Sequence, residues 1–273
     1  MEKKPTPLIL RVISALLAAG ILFSSGFFGG SWGLVIMCTV AVFLGIREYG
    51  RIAFPRFGVP PMFRVLFGLT CLILYGALLY WPDQNAVIFA VTISLFLAFS
   101  LWLTRNLMSN EAILAAIGMG SLGLLYCVSL PVFAVNLLFL PKGPTWFAFL
   151  MMVVFFGDTF AFFGGRFFGR HKLMVQVSPN KTVEGAIAGL VGSSVAGILF
   201  VLWFFPDLPM TRVILFCVAC GFVGQSGDLL MSLVKRVGEV KDSGSIMPGH
   251  GGILDRLDGI FLSAPLVYAF AIS

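Results

Sequence analysis

The sequence predicts an all-α polytopic integral membrane protein of about nine transmembrane helices, N-terminus in the cytoplasm and C-terminus outside. Three observations predict it. Of 273 residues, 59% are hydrophobic and 11% charged, less than half the roughly 25% charge of soluble domains, and mean hydropathy is +1.01. Apolar runs near the roughly 20 residues of a helical span recur along the chain. Lysine and arginine sort to one side of those runs. A soluble enzyme, a disordered chain and a small disulfide scaffold are excluded. The same sorting argues against nucleic acid as a partner despite the net charge of +6.

The runs lie at about 8–26, 28–46, 62–81, 86–103, 112–139, 146–165, 184–205, 213–234 and 259–273. Lys3 and Lys4 make the first resemble a signal peptide, but the many spans that follow favour an uncleaved helix. The fifth is over-long and contains Pro131, which predicts a tilt or kink. The ninth is short. No repeat or linker divides residues 1–273, so one transmembrane domain is expected. With the N-terminus inside and sides alternating, 16 of the 18 Lys and Arg fall inside, and only Lys142 and Arg212 fall outside. Cys38, Cys71, Cys127, Cys217 and Cys220 all sit in apolar runs and read as small buried hydrophobes.

Ionisable groups inside spans cost about 2.5–3.5 kcal/mol each at mid-depth, which makes them functional candidates. Asp158 lies roughly 18 Å along an inward-running sixth helix and Asp228 roughly 22 Å along an inward-running eighth; both belong to the cytoplasmic half. A buried helix-to-helix hydrogen bond is the plainer alternative for each. Asp228, Ser232 and Lys235 follow at i, i+4 and i+7 on one helix face. Gly221, Gly224 and Gly227 form a small-residue stripe that reads as packing.

Two inside loops hold most of the remaining polar residues. The first carries Arg166, Arg170, His171 and Lys172, then Ser178, Lys181, Thr182 and Glu184; Ser178 or Thr182 suits a cap for the seventh helix. The second runs from Lys235-Arg236 through Lys241-Asp242 to His250 and Asp255-Arg256-x-Asp258. Its five glycines between 238 and 252 suit a loop that approaches phosphate closely. Asp255 and Asp258 share a helix face if the ninth helix starts there, and with Asp228 they form a hard-oxygen set suited to Mg2+. An ion-pair network of Asp255 with Arg256 and Lys235 is the competing reading. Cations for phosphates, carboxylates for a metal and a glycine-rich loop together suggest phosphoryl or nucleotidyl transfer.

The string Ser232-x2-Lys235-Arg236-x4-Lys241-Asp242-x-Gly244-x3-Pro248-x-His250-Gly251-Gly252-x2-Asp255-Arg256-x-Asp258 resembles the signature of the phosphatidate cytidylyltransferase (CDP-diacylglycerol synthase) family. Asp158-Thr159-x-Ala161, Gly164 and Ser178-Pro179-x-Lys181-Thr182-x-Glu184-Gly185 are also similar to it. Met247, Phe160 and Phe162 depart from the usual residues. The resemblance covers about the C-terminal 120 residues and implies CTP + phosphatidate → CDP-diacylglycerol + pyrophosphate with Mg2+, a second ion being left open. It implies metal-ligand roles for Asp228, Asp255 and Asp258.

On this reading residues 146–273 carry the active site, facing the cytoplasm, and residues 1–140 form a helical scaffold. The expected catalytic residues are Asp228, Asp255, Asp258, Lys235 and Lys181. The expected substrate-binding residues are Ser178, Lys181, Glu184, Lys235, Arg236, Lys241, Asp242, His250, Arg256 and Asp158. The partners are CTP and phosphatidate, a homodimer stays open, and short loops favour a bacterial inner membrane. Another CTP- or phosphate-lipid-using transferase, or a lipid kinase, is the alternative. An ion-coupled transporter using Asp158 and Asp228 is a third reading.

Overall fold

The computed structural model describes residues 7–246 and 251–273, with the side chains of residue 17 and of those from 20 onward. Its helices are α1 (Pro7–Ala53), α2 (Pro61–Tyr80), α3 (Asn85–Thr104), α4 (Asn110–Leu124), α5 (Leu130–Leu137), α6 (Gly143–Phe168), α7 (Val183–Phe204), α8 (Met210–Val237) and α9 (Leu254–Ala271). An antiparallel hairpin, β1 (Lys172–Met174) and β2 (Ser178–Thr182), joins α6 to α7. The protein is an all-α membrane protein in which, among the described residues, seven helical segments are long and apolar enough to cross a bilayer.

The difference between nine expected spans and these seven has two sources. The segment Gly20–Phe57 counts as one, yet α1 is broken at Gly30, whose φ of 56° and ψ of −144° suit glycine alone. A Cβ on Gly33 would strike the Ser25 carbonyl oxygen, and one on Gly26 would lie 3.6 Å from Leu34. Residues eight apart on a straight helix are about 12 Å apart, so the chain doubles back at Gly30 into two arms. The second source is α9, where Asp255, Arg256 and Asp258 leave only residues 259–271 apolar, about 20 Å of helix against a core of about 30 Å.

Ahead of Pro131, where the sequence predicts a tilt or kink, the helical hydrogen bonding changes over one turn. Leu130 N donates to the Leu125 carbonyl, and Ser129 Oγ donates to the Leu124 carbonyl at 3.2 Å. This π turn, Leu125–Ser129, joins α4 to α5 just ahead of a residue with no N–H to give.

The chain divides into two compact units, Met1–Val135 with Val234–Arg256, and Asn136–Leu233 with Leu257–Ser273. In the first, Tyr49, Phe54, Phe63, Phe67 and Phe96 are buried in edge-to-face and tilted contact. Tyr49 Oη donates to the Met119 carbonyl at 2.8 Å, which satisfies its polar end inside the aromatic cluster. Within the second unit, α6 and α7 pack on small residues. Gly185, Gly189, Ser193 and Gly197, four apart on α7, face Ala161, Gly157 and Val153 of α6. Such ladders let backbones approach where lipid supplies no hydrophobic drive. The α8 stripe also packs, as its spacing predicts: Gly221 meets Ser193 of α7, Gly224 meets Ser263 of α9, and Gly227 meets the Asp258 backbone.

Candidate active site

In the first unit the end of α8, the following loop and the start of α9 close around Asp255. Lys235 Nζ lies 2.6 Å from Asp255 Oδ1, with the two side chains 14% and 10% exposed. Asp255 Oδ2 accepts from Ser243 N at 2.8 Å, Ser243 Oγ at 2.9 Å and Gly252 N at 3.1 Å. Burial alone would push this carboxyl up; the Lys235 ammonium and the backbone N–H groups outweigh it and hold Asp255 below the usual range. The bond to Gly252 N reaches back three residues, as a capping box does.

Sequence reasoning missed the residue that completes this cluster. Glu48, in the second arm of α1, is 1% exposed. Its Oε1 accepts from Ile253 N at 3.0 Å, and its Oε2 accepts from Leu254 N and Ser243 Oγ, each at 3.0 Å. A carboxylate in the last turns of an apolar helix was the available signal. The loop glycines make room for this approach. A Cβ on Gly244 would strike Glu48, one on Gly252 would strike Glu48 and Ser243, and one on Gly238 would strike the Ile52 carbonyl oxygen. Gly251 has φ of 85°, with Asp255 Oδ2 2.7 Å from where a Cβ would stand.

In the second unit Lys181, on β2, places Nζ 2.6 Å from Asp228 Oδ2 on α8. Ser232 Oγ donates to Asp228 Oδ1 at 3.4 Å, so the i, i+4 face read from the sequence is formed. Thr182 caps α7, its Oγ1 accepting from Gly185 N at 3.1 Å. Glu184 turns to the preceding loop, where Oε1 lies 2.6 Å from His171 Nδ1 and Oε2 accepts from Arg170 N at 3.1 Å. Ser178 begins β2, half-buried. Asp158 lies with Gly157, Ser193, Cys220, Gly224 and Gln225 along a narrow cleft between α6, α7 and α8. Asp258 is buried, and its Oδ1 accepts from Gly259 N at 2.8 Å.

Arg236, Lys241, Asp242 and Arg256 are exposed. His250 lies outside the described residues, as do Met247, Lys3 and Lys4. Among the described residues no group of three or more His, Cys, Asp or Glu converges closely enough to hold a metal ion. Asp228 and Asp255, both expected as metal ligands, each lie 2.6 Å from a lysine ammonium.

In the first unit, then, a carboxylate and an ammonium group meet at a glycine-rich loop. The model of the cytidylyltransferase family matches residues 9–273. The chain belongs to the cytidylyltransferase family. It is 32% identical to a phosphatidate cytidylyltransferase of Synechocystis over 96% of each chain. It is 33% identical to the chloroplastic phosphatidate cytidylyltransferase 4 of Arabidopsis thaliana, over 98% of this chain and 74% of the relative. A phosphatidate cytidylyltransferase of Bacillus subtilis is 40% identical over 46% of this chain and 47% of its own length. The cytidylyltransferase family match takes in α1, and so includes Glu48 along with the signature loop.

Proposed function

We propose that this membrane enzyme transfers CMP from CTP to phosphatidate, giving CDP-diacylglycerol and pyrophosphate. The carrying observation is the 32% identity to a phosphatidate cytidylyltransferase over 96% of both chains. A phosphatidate phosphate oxygen attacks the α-phosphorus of CTP, forming one P–O bond as the bond to the β-phosphate bridging oxygen breaks and pyrophosphate leaves. The nucleophile is already anionic near neutral pH, so no general base is required. The barrier is anion meeting anion, and Lys181, Lys235, Arg236, Lys241 and Arg256 would neutralise phosphate charge. Ser178, Glu184, Asp242, His250 and Asp158 would orient substrate or loop.

Asp228, Asp255 and Asp258 are the carboxylates that would each offer an oxygen to Mg2+. Their hard carboxylate oxygens fit that ion, and Asp228 and Asp255 each hold a cationic group at 2.6 Å. When bound, Mg2+ supplies charge neutralisation on phosphate oxygens. The reversal at Gly30 and the α9 helix allow nine passages, with the N-terminus and the lysine- and arginine-rich loops at the cytoplasmic face of a bacterial inner membrane.

Purified protein given α- or γ-labelled CTP, Mg2+ and phosphatidate tests the reading. Lipid-linked CMP carrying the α label is expected. Transfer of γ label alone would replace the reading with a kinase, and no Mg2+-dependent lipid product would overturn it.

A further inference from the structure

We propose that Glu48 is a positioning residue for the transfer reaction, holding the signature loop and Asp255 in place from the opposite end of the sequence. The inference rests on the proposed cytidylyl transfer and adds to it a residue outside the C-terminal signature. Ile253 precedes α9 and has no polar side chain with which to cap it. Glu48 supplies that carboxylate, accepting from the N–H groups of Ile253 and Leu254 at 3.0 Å. These are among the first orphan donors of the helix, where an anion is favoured by both hydrogen bonding and the helix dipole.

The link from Glu48 to Asp255 is Ser243. Its Oγ lies 3.0 Å from Glu48 Oε2 and 2.9 Å from Asp255 Oδ2. One hydroxyl proton serves two carboxylates, while Ser243 N is committed to Asp255 at 2.8 Å. Ser243 is itself 4% exposed, so neither carboxylate finds ready replacement from water. No ion pair to Glu48 occurs among the described residues, so its charge is balanced by these donors. Displacing Glu48 therefore frees the start of α9 and the Ser243 turn together, and with them the Oδ2 side of Asp255. Lys235, bonded to Oδ1, and the Gly252 N–H then hold that carboxylate without the Ser243 hydroxyl.

The test compares Glu48→Gln, Ser243→Ala and the double variant as full-length protein in detergent with phosphatidate. Gln keeps the side-chain volume and one acceptor oxygen, so it guards against simple loss of folding. Hydrogen bonds to charged groups of this kind correspond to roughly tenfold to a hundredfold in rate when lost at the transition state. A kcat reduced by about that factor, with KM for phosphatidate within about twofold, is expected of Glu48→Gln. Because both side chains act through one hydroxyl, the double variant should lose no more than the worse single one. Amide exchange at Ile253 and Leu254 should quicken in Glu48→Gln, a readout independent of turnover. Exchange unchanged from wild type overturns the proposal whether or not the protein makes lipid-linked CMP. Additive losses, or an unchanged kcat in Glu48→Gln while wild type is active, overturn it as well. A wild-type protein that makes no lipid-linked CMP while exchange responds as expected sinks the functional reading and leaves the positioning of the loop supported.

Discussion

Gly227→Ala should cost both stability and turnover. A Cβ on Gly227 would fall on the Asp258 carbonyl oxygen, 3.0 Å from its carbonyl carbon and 3.2 Å from Leu262 Cβ. Carbon atoms rest at about 3.5–4.0 Å, so α8 and α9 must part by about 0.5–1 Å. The obstacle is backbone, and no rotamer change relieves it. Overpacking of this kind costs about 1–3 kcal/mol. Asp258 moves with that backbone, and a misplacement of about 1 Å at a reacting site can lower the rate by about 10²-fold. The assay is the thermal unfolding midpoint in detergent, together with initial rates of lipid-linked CMP formation. Gly118→Ala on α4 is the comparator, because nothing lies within 4 Å of its Cβ and alanine favours a helix interior by about 1 kcal/mol. A Gly227→Ala protein matching Gly118→Ala in both readouts would refute the claim that the α8–α9 crossing sets the geometry at Asp258.

Asp228→Ala and Asp255→Ala should each lower turnover at least about 10²-fold in folded protein, measured as CMP incorporation; chelation by EDTA should mimic both and Mg2+ should reverse it. Thr182→Ala should destabilise by about 1 kcal/mol through loss of the α7 cap, while Thr182→Ser, which keeps the accepting oxygen, stays near wild type in thermal unfolding. Asp255, held below the usual range when folded, stabilises the fold above the unfolded carboxyl value, and that stability is lost as pH falls through the lower folded value. The gap in unfolding midpoint between wild type and Asp255→Asn should therefore narrow as pH drops from about 5 towards 3; a gap that widens would contradict the sign.

Much of the fold was legible because lipid leaves few choices. Backbone groups in hydrocarbon must bond within their own helix, so long apolar runs have one reading. Composition could not show where a run reverses or how far a charged helix start shortens it. Gly30 lies in a run of aromatic and small residues with no polar break, and its turn is set by one unusual φ. The small-residue ladder on α7 was equally readable at spacing four, yet no sequence signal says which neighbour faces it.

For the site, spacing along one helix was informative and partnership across elements was not. Asp228 and Ser232 meet as their i, i+4 positions require, but Glu48 bonds to residues 195 and more positions away. The same limit governed the charges. Lys181 and Lys235 read as phosphate ligands, Asp228 and Asp255 as metal ligands, and the fold pairs them with each other at 2.6 Å. The two readings are compatible on electrostatic grounds. A lysine chosen to meet phosphate and an aspartate chosen to meet a divalent ion are complementary in sign, so they satisfy one another when both line one surface. On the proposed roles, Lys181 and Lys235 would turn to phosphate, and Asp228 and Asp255 would turn to Mg2+, when both are bound. Neither the lysine nor the aspartate is then left uncompensated. Either ligand alone would strand one charge of the pair, which costs far more in a half-buried setting than in water. CTP and Mg2+ should accordingly bind with strong mutual dependence, and calorimetry showing each to bind equally well without the other would count against the paired arrangement.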